Sequence, residues 1–348
     1  MTFPVDQTVT NNGQVNNEGD SRALFLKVFS GEVLTAFHQT NHALALTRVR
    51  SIRSGKSAQF PVLGTTLATY HTPGQLIKAD QLPSVERTVT IDDVALSAIF
   101  VADIDDAISH FDVRSQYSAE AGQTLADMID RNIFRMVSQA SFITDKDSAT
   151  AAGLSVPSRG QKYTANIELA AAGDEDDGSK VVNAIFKART QFRKASITGE
   201  LVCVLPPEQY EALVNVQDTN KVTWMNKDVG GVGSAAMGTV PYVAGVRIIE
   251  SVNVPQDDET VALLNDPEPL ADGTVGSGNA AKYRGDYSRV IGLIFQKDCV
   301  ATTKLMDVST KWVNEDLRLG STVLTTQAVG HDILRFECAV SILKAAAV

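Results

Sequence analysis

The sequence predicts an α+β fold, and three patterns carry that prediction. Residues 112–140 repeat apolar side chains at helical spacing over a length that would form a spine. Residues 48–91 hold two extended runs joined by a turn-rich stretch, and from Val181 to Val252 helical and strand-like runs alternate. With 348 residues, 44% of them hydrophobic and only 6% aromatic, the chain can bury one large core or two medium ones.

Residues 1–20 are rich in Asn, Gln, Thr and Gly with almost no apolar side chains, so burial cannot offset the entropy of ordering them and a disordered tail is expected. From Arg22 to Phe37, Leu24, Phe25, Val28, Phe29, Val33, Leu34 and Phe37 fall at helical spacing, and Gly31 breaks the pattern into a short or interrupted helix. The period then changes to two. Arg48, Arg50 and Ile52 alternate with Val49 and Ser51, and a second extended run follows at Val85–Ile91. Pro61, Gly64, Pro73, Gly74 and Pro83 punctuate the stretch between them, predicting a long two-stranded excursion. A lone ribbon is only marginally stable in water, so this one is expected to lie on a neighbouring subunit.

The strongest helical signal runs from Asp103 to Ala140. Asp103 can cap it, Asp105 and Asp106 suit the positive end of its dipole, and Val113, Tyr117, Ala121, Leu125, Ile129, Ile133, Met136, Val137 and Ala140 recur at spacings of three and four. An unbroken helix over 112–140 would be roughly 43 Å long. A second amphipathic helix follows the acids Asp174–Asp177, carrying Val181, Val182, Ile185, Phe186 and Phe192, with Lys187, Arg189, Arg193 and Lys194 toward its end. Leu201–Leu205 reads as a buried strand, Glu208–Val214 as a helix and Val246–Val252 as a further strand. A polar, acid-rich loop occupies 255–286, and the last strand-like stretches are Val290–Phe295 and Val323–Leu343. No internal repeat is present.

Charge and motifs exclude more than they assign. Of the net charge of −10, residues 1–21 carry three acids and no base, residues 22–56 carry six bases against Glu32, and the remainder holds −12. An acidic body repels phosphates, so any nucleic-acid contact would be local to the basic stretch. The richest apolar run, Val94–Ala102, is nine residues long against the roughly 20 that a bilayer requires. Met1–Thr10 hold no basic start followed by an apolar run, so no secretory signal is read and the chain is expected to stay where it is made. Cys203, Cys299 and Cys338 are widely separated and flanked by apolar residues, which predicts buried, reduced thiols.

His38 and His42 stand four apart, but Gln39 replaces the glutamate of a zinc-protease helix and no third ligand is evident. Gly55-Lys56-Ser57 resembles the end of a phosphate-binding loop, yet Arg50 stands where the leading glycine belongs. Gly231–Ala236 fits a loose dinucleotide pattern without the preceding strand or the following helix. Asp174–Asp177 lacks calcium-loop spacing, and no Gly-x-Ser-x-Gly elbow exists. The reading is therefore of a non-enzyme with no catalytic residue, no metal and no cofactor.

One cluster invites a partner. Arg48, Arg50, Arg53 and Lys56, with Glu86 and Arg87 on the opposing run, are the candidate inter-subunit contacts. The alternatives are a solvated strand face, or a weak, salt-sensitive contact with double-stranded DNA, since four bases neutralise only a few phosphates.

The runs Ala23–Phe37, Arg48–Gly64, Ile104–Tyr117, Val243–Pro255 and Val290–Asp307 resemble, in the same order, the major capsid proteins of podophages of the T-seven type. The resemblance implies the Hong Kong 97 type of capsid fold: an N-terminal arm at 1–55, an E-loop at 56–100, a P-domain at 101–177 with its spine helix at 112–140, an A-domain at 178–300, and a return to the P-domain at 301–348. It implies self-assembly into hexamers and pentamers on an internal scaffolding protein, a portal at one vertex, and a procapsid, built in the bacterial cytoplasm, that expands as double-stranded DNA enters. An encapsulin-like cellular compartment of the same fold is the alternative, and a nucleotide-dependent enzyme using loop 230–238 is the contrasting class.

Overall fold

The computed structural model describes residues 43–66, 68–77, 79–102, 113–154, 162–214, 242–260, 282–315 and 318–345. The expected tail, the broken helix at 22–37, the capping segment 103–112, His38, His42 and Gly231–Ala236 lie outside these residues.

The long apolar repeat folds as one helix, α1 (Val113–Ser141). Leu125, Ile129, Ile133, Phe134, Met136, Val137 and Ala140 are all buried along it. Each fully buried Ile or Phe contributes about 1.5–3 kcal/mol relative to exposure, which fixes the face the helix presents. A short helix, α2 (Lys146–Ala151), follows, started by a capping box in which Asp145 and Ser148 satisfy each other's backbone N–H.

Two sheets share α1. The six-stranded sheet has the order β5 (Ile167–Glu168), β12 (Ala339–Leu343), β9 (Val290–Gln296), β6 (Leu201–Leu205), β8 (Val246–Glu250), β7 (Tyr242–Val243). Its central strands β12, β9 and β6 are covered on both faces and are apolar almost throughout, whereas β5 and β8 toward the edges expose Glu168, Arg247 and Glu250. Val202 and Val204 of β6 face α1, whereas Cys203 and Leu205 face α3 (Gly178–Lys194). On β9 a bulge at Ile291 shifts the alternation, so that Val290, Leu293 and Phe295 meet α1 while Ile291 and Ile294 meet α3. Phe134 and Phe295 pack edge to face, with centroids 6.5 Å apart. Asp177 caps α3, its side chain accepting from the Ser179 N–H at 2.9 Å, and α4 (Pro207–Val214) packs beside it. Strands β5 and β12 come from outside residues 178–300.

The four-stranded sheet has the order β1 (Arg48–Ser51), β10 (Val300–Glu315), β11 (Gly320–Ile333), β4 (Ala95–Ala102). β1 runs parallel to the start of β10 only, pairing Arg48–Ser51 with Ala301–Lys304. β10 and β11 form a long hairpin with register shifts between Lys304 and Met306 and between Met306 and Ser309. Val329 and Ile333 at the root of the hairpin join the α1 core, whereas Met306, Val308 and Val313 farther out are exposed.

The predicted excursion is an antiparallel ribbon, β2 (Ser57–Leu63) with β3 (Ser84–Thr90), paired from Ser57↔Thr90 to Leu63↔Ser84. The ribbon does not need a neighbour for its base. Ala58, Phe60, Val62 and Val89 turn one face onto Ala301 and Leu334 of the same chain, because the period of two collects its apolar residues on that side. Gly330 permits the approach: a Cβ there would stand 2.0 Å from the Thr90 carbonyl oxygen. Only the tip projects, with Tyr70, Leu76 and Ile77 exposed.

Two further expectations change. Phe186, grouped by periodicity with the core of α3, is 48% exposed, since the buried arc is completed by Val181, Val182, Ile185, Ala188 and Phe192. The loop at 255–286 is anchored at its described ends. Glu259 pairs with Arg135, and Tyr283 and Tyr287 are buried against α1 and β11.

Candidate interaction surface

The basic cluster lies where β1 meets the ribbon. Arg48 reaches Asp298 at 3.7 Å, and both side chains stay substantially exposed, so the pair adds at most about 1 kcal/mol. Arg50 donates from Nη1 to the Gln59 carbonyl at 2.6 Å and lies 5.9 Å from the centre of the Phe60 ring, which fixes its guanidinium over the root of the ribbon. Arg53 and Lys56 are exposed on the turn around Gly55, whose φ of 106° is one that glycine adopts readily. Glu86 is exposed on β3 and borders, with Arg50, Gln59 and Pro61, a cleft of about 430 Å³. Arg87, one residue on, points the opposite way: it is buried beneath the ribbon, where Asp332 and Glu337 partly compensate the desolvation that lowers its pKa. The structure thus gathers Arg48, Arg50, Arg53, Lys56 and Glu86 on the outside and turns Arg87 inward.

A polar cluster behind the ribbon sets its position. Lys282 pairs with Asp92 at 2.5 Å and donates to the His331 carbonyl at 2.8 Å, while the Tyr283 hydroxyl donates to the other oxygen of Asp92. His331 Nδ1 shares a hydrogen bond with the Thr302 hydroxyl at 2.9 Å, and Thr302 shares one with Thr47 at 3.1 Å. Burial pushes the Asp92 carboxyl up in pKa, with Lys282 opposing, and holds the His331 imidazole down at about 3, neutral at physiological pH. Asp92 lies in the link from β3 to β4, Lys282 near the end of the acid-rich loop, and His331 on β11. One cluster therefore ties three distant parts of the chain together, a convergence that no local sequence pattern announces.

A second buried pair clamps α1. Arg135 offers Nε and Nη2 to the two oxygens of Glu259, each at 2.6 Å, and Nη1 to Asn132 at 2.8 Å. The bidentate geometry suits guanidinium and carboxylate. Gln139, one turn on, donates to the Lys282 and Arg284 carbonyls at 2.9 and 3.1 Å.

Among the described residues no three His, Cys, Asp or Glu side chains group as a metal site, and no helix is long and apolar enough to cross a membrane. Cys203, Cys299 and Cys338 are free and buried, and burial raises all three thiols, Cys338 to about 12, so they stay protonated and unreactive. The exposed features are instead surfaces: the apolar ribbon tip, the outer hairpin at Met306, Val308 and Val313, and the basic cluster.

Comparison with known proteins gives these surfaces a setting. A family model described as Gp10A-like major capsid protein matches residues 59–343. The chain is 30% identical over 342 residues to the major capsid protein of Escherichia phage T7, covering 96% of this chain and 95% of that one. It is 28% identical over 346 residues to the major capsid protein of Enterobacteria phage T3, covering 97% and 96%. Among solved structures, the capsid of cyanophage P-SCSP1u aligns with a TM-score of 0.69 at 32% identity, covering 99% of this chain and 100% of that one. The mature capsid of bacteriophage PhiM1 aligns with a TM-score of 0.67 at 16% identity, covering 92% of each chain, and shares the fold. The spine helix serving two sheets and the projecting ribbon are thus the Hong Kong 97 type of fold. On the match across most of its length, the chain belongs to the Gp10A-like major capsid proteins, a family of structural subunits rather than enzymes.

Proposed function

We propose that the chain builds an icosahedral procapsid of hexamers and pentamers on an internal scaffolding protein in the host cytoplasm, with a portal at one vertex, and that the shell matures around double-stranded DNA. The observation that carries this reading is the ribbon: its base is packed on its own chain, but Tyr70, Leu76 and Ile77 at its tip are exposed. Apolar side chains presented on a projecting arm gain free energy only against another surface. The four-stranded sheet supplies such a surface at Met306, Val308 and Val313. In this proposal residues 1–55 act as the N-terminal arm, 56–100 as the E-loop, 101–177 and 301–348 as the P-domain, and 178–300 as the core of the A-domain. Arg48, Arg50, Arg53, Lys56 and Glu86 make contacts between subunits at the root of the E-loop. The acidic balance of the chain keeps packaged DNA from adhering, leaving weak, salt-sensitive contacts to the bases.

Co-expression with the cognate scaffolding protein, followed by negative-stain electron microscopy, tests the proposal. Closed icosahedral particles are expected. Small soluble species alone, at every ratio of scaffold to subunit, would overturn it.

A further inference from the structure

We propose that the helical side of the six-stranded sheet carries a head-to-tail contact between copies of this chain, in which the basic end of α3 on one copy meets the acidic end formed by α4 and the start of α3 on the next. The inference rests on the capsid reading and assigns a surface within it.

Charge on this side of the molecule is separated into two poles. α3 contains five bases and no acid, and Lys187, Arg189, Arg193 and Lys194 fall in its second half. The 3-10 turn Asp174–Asp176 packs against both the start of α3 and α4, and α4 adds Glu208 and Glu211 with no base. The poles are separated by a helix about 25 Å long. Lys187, Arg193, Lys194, Glu208 and Glu211 are all exposed, and none of them makes an ion pair to a described residue.

The helix dipole explains part of this pattern but not the whole. Its effect fades beyond the first and last turns. Lys187 lies two turns from the end of α3, and Glu211 belongs to another helix. A second, independent feature is Phe186, 48% exposed beside Lys187 on a helix whose other aromatic residue, Phe192, is fully buried. An aromatic side chain among cations on an otherwise polar face is the composition of an interface anchor.

The occupant follows from complementarity. Nucleic acid would meet the acidic pole alongside the basic one and be repelled from half the surface. A second copy offers each pole its opposite. Because the two patches differ, the contact is heterologous, the kind that closes into rings when the rotation between copies is right.

A charge swap in the full-length protein, co-expressed with its scaffolding protein, tests the contact. Lys187→Glu with Arg193→Glu, and separately Asp176→Lys with Glu211→Lys, should each lower the yield of closed shells by roughly tenfold, and combining all four should restore most of it. Melting of the unassembled subunits identifies any variant that misfolds. Lys187→Gln with Arg193→Gln then serves in its place, with a smaller expected loss. Parent-like yield from both single-pole variants would overturn the proposal, as would a combined variant no better than either alone. Parent-like shell yield from the basic-pole variant, with weaker binding of its unassembled subunits to double-stranded DNA than the parent shows, would overturn it in favour of a nucleic-acid surface. A parent that forms no shells would instead sink the capsid reading, so the two failures are distinct.

Discussion

His331 occupies a site with no room for a charge. Its Nδ1 is engaged by Thr302, its Nε2 has no hydrogen-bond partner among the described residues, and Lys282 lies close by. In the unfolded chain the imidazole takes up a proton near pH 6.5, whereas in the folded chain it does so only at about 3. Between those values the unfolded state binds more protons, so this residue makes stability fall as pH drops, by up to about 1.4 kcal/mol per pH unit. Asp92 and Asp332 act in the opposite sense, because their raised values let the folded chain keep protons that the unfolded chain releases. Replacement His331→Asn should therefore leave a variant that loses less stability than the parent between pH 7 and pH 5. Urea melts of unassembled subunits at each pH would check it, and parallel profiles would refute it. Residues of this kind were not legible in the sequence. Thr47, Asp92, Lys282, Thr302 and His331 are brought together only by the tertiary fold, and Glu86 and Arg87 look alike until strand pairing sends one outward and the other in.

Elements were legible where one face is buried against one partner. α1 and α3 announce themselves because each lays a continuous apolar stripe on a sheet, and β2 and β3 do so through strict alternation and turn residues. β10 was missed as a strand. Its bulges around Met306 break the period of two, and Met306, Val308 and Val313 in its outer half are exposed, so burial does not impose an alternation on them. The ribbon also divides by role within one element. Its base contributes to the fold, whereas Leu76 and Ile77 contribute nothing to the isolated subunit. Changing both to Asp should leave the melting temperature of the subunit within error, because exposed substitutions cost within about 0.5 kcal/mol, while abolishing closed shells. A shifted melt, or shells at parent yield, would show that the tip is not reserved for contact.

Across the whole molecule, stability should be graded. β6 and β9 are central strands buried on both faces, whereas the outer half of β10 is paired on one side only, with Met306, Val308 and Val313 exposed, and the ribbon tip exposes Tyr70, Leu76 and Ile77. Hydrogen exchange on unassembled subunits should protect amides of Val202–Val204 and Leu293–Phe295 most, and those of residues 68–77 and Val308–Glu315 least. Uniform protection would contradict a rigid body with compliant arms. The ends of the two sheets differ in a related way. The six-stranded sheet finishes in strands of two residues on both sides, Ile167–Glu168 and Tyr242–Val243. Such stubs offer little backbone to template another strand, which is how natural sheets resist aggregation. The four-stranded sheet leaves β4 and the outer half of β10 open among the described residues. Errors of crowding are thereby confined. At the concentrations a growing shell requires, stray strand pairing finds an open edge of useful length on the four-stranded sheet and only two-residue stubs on the six-stranded one.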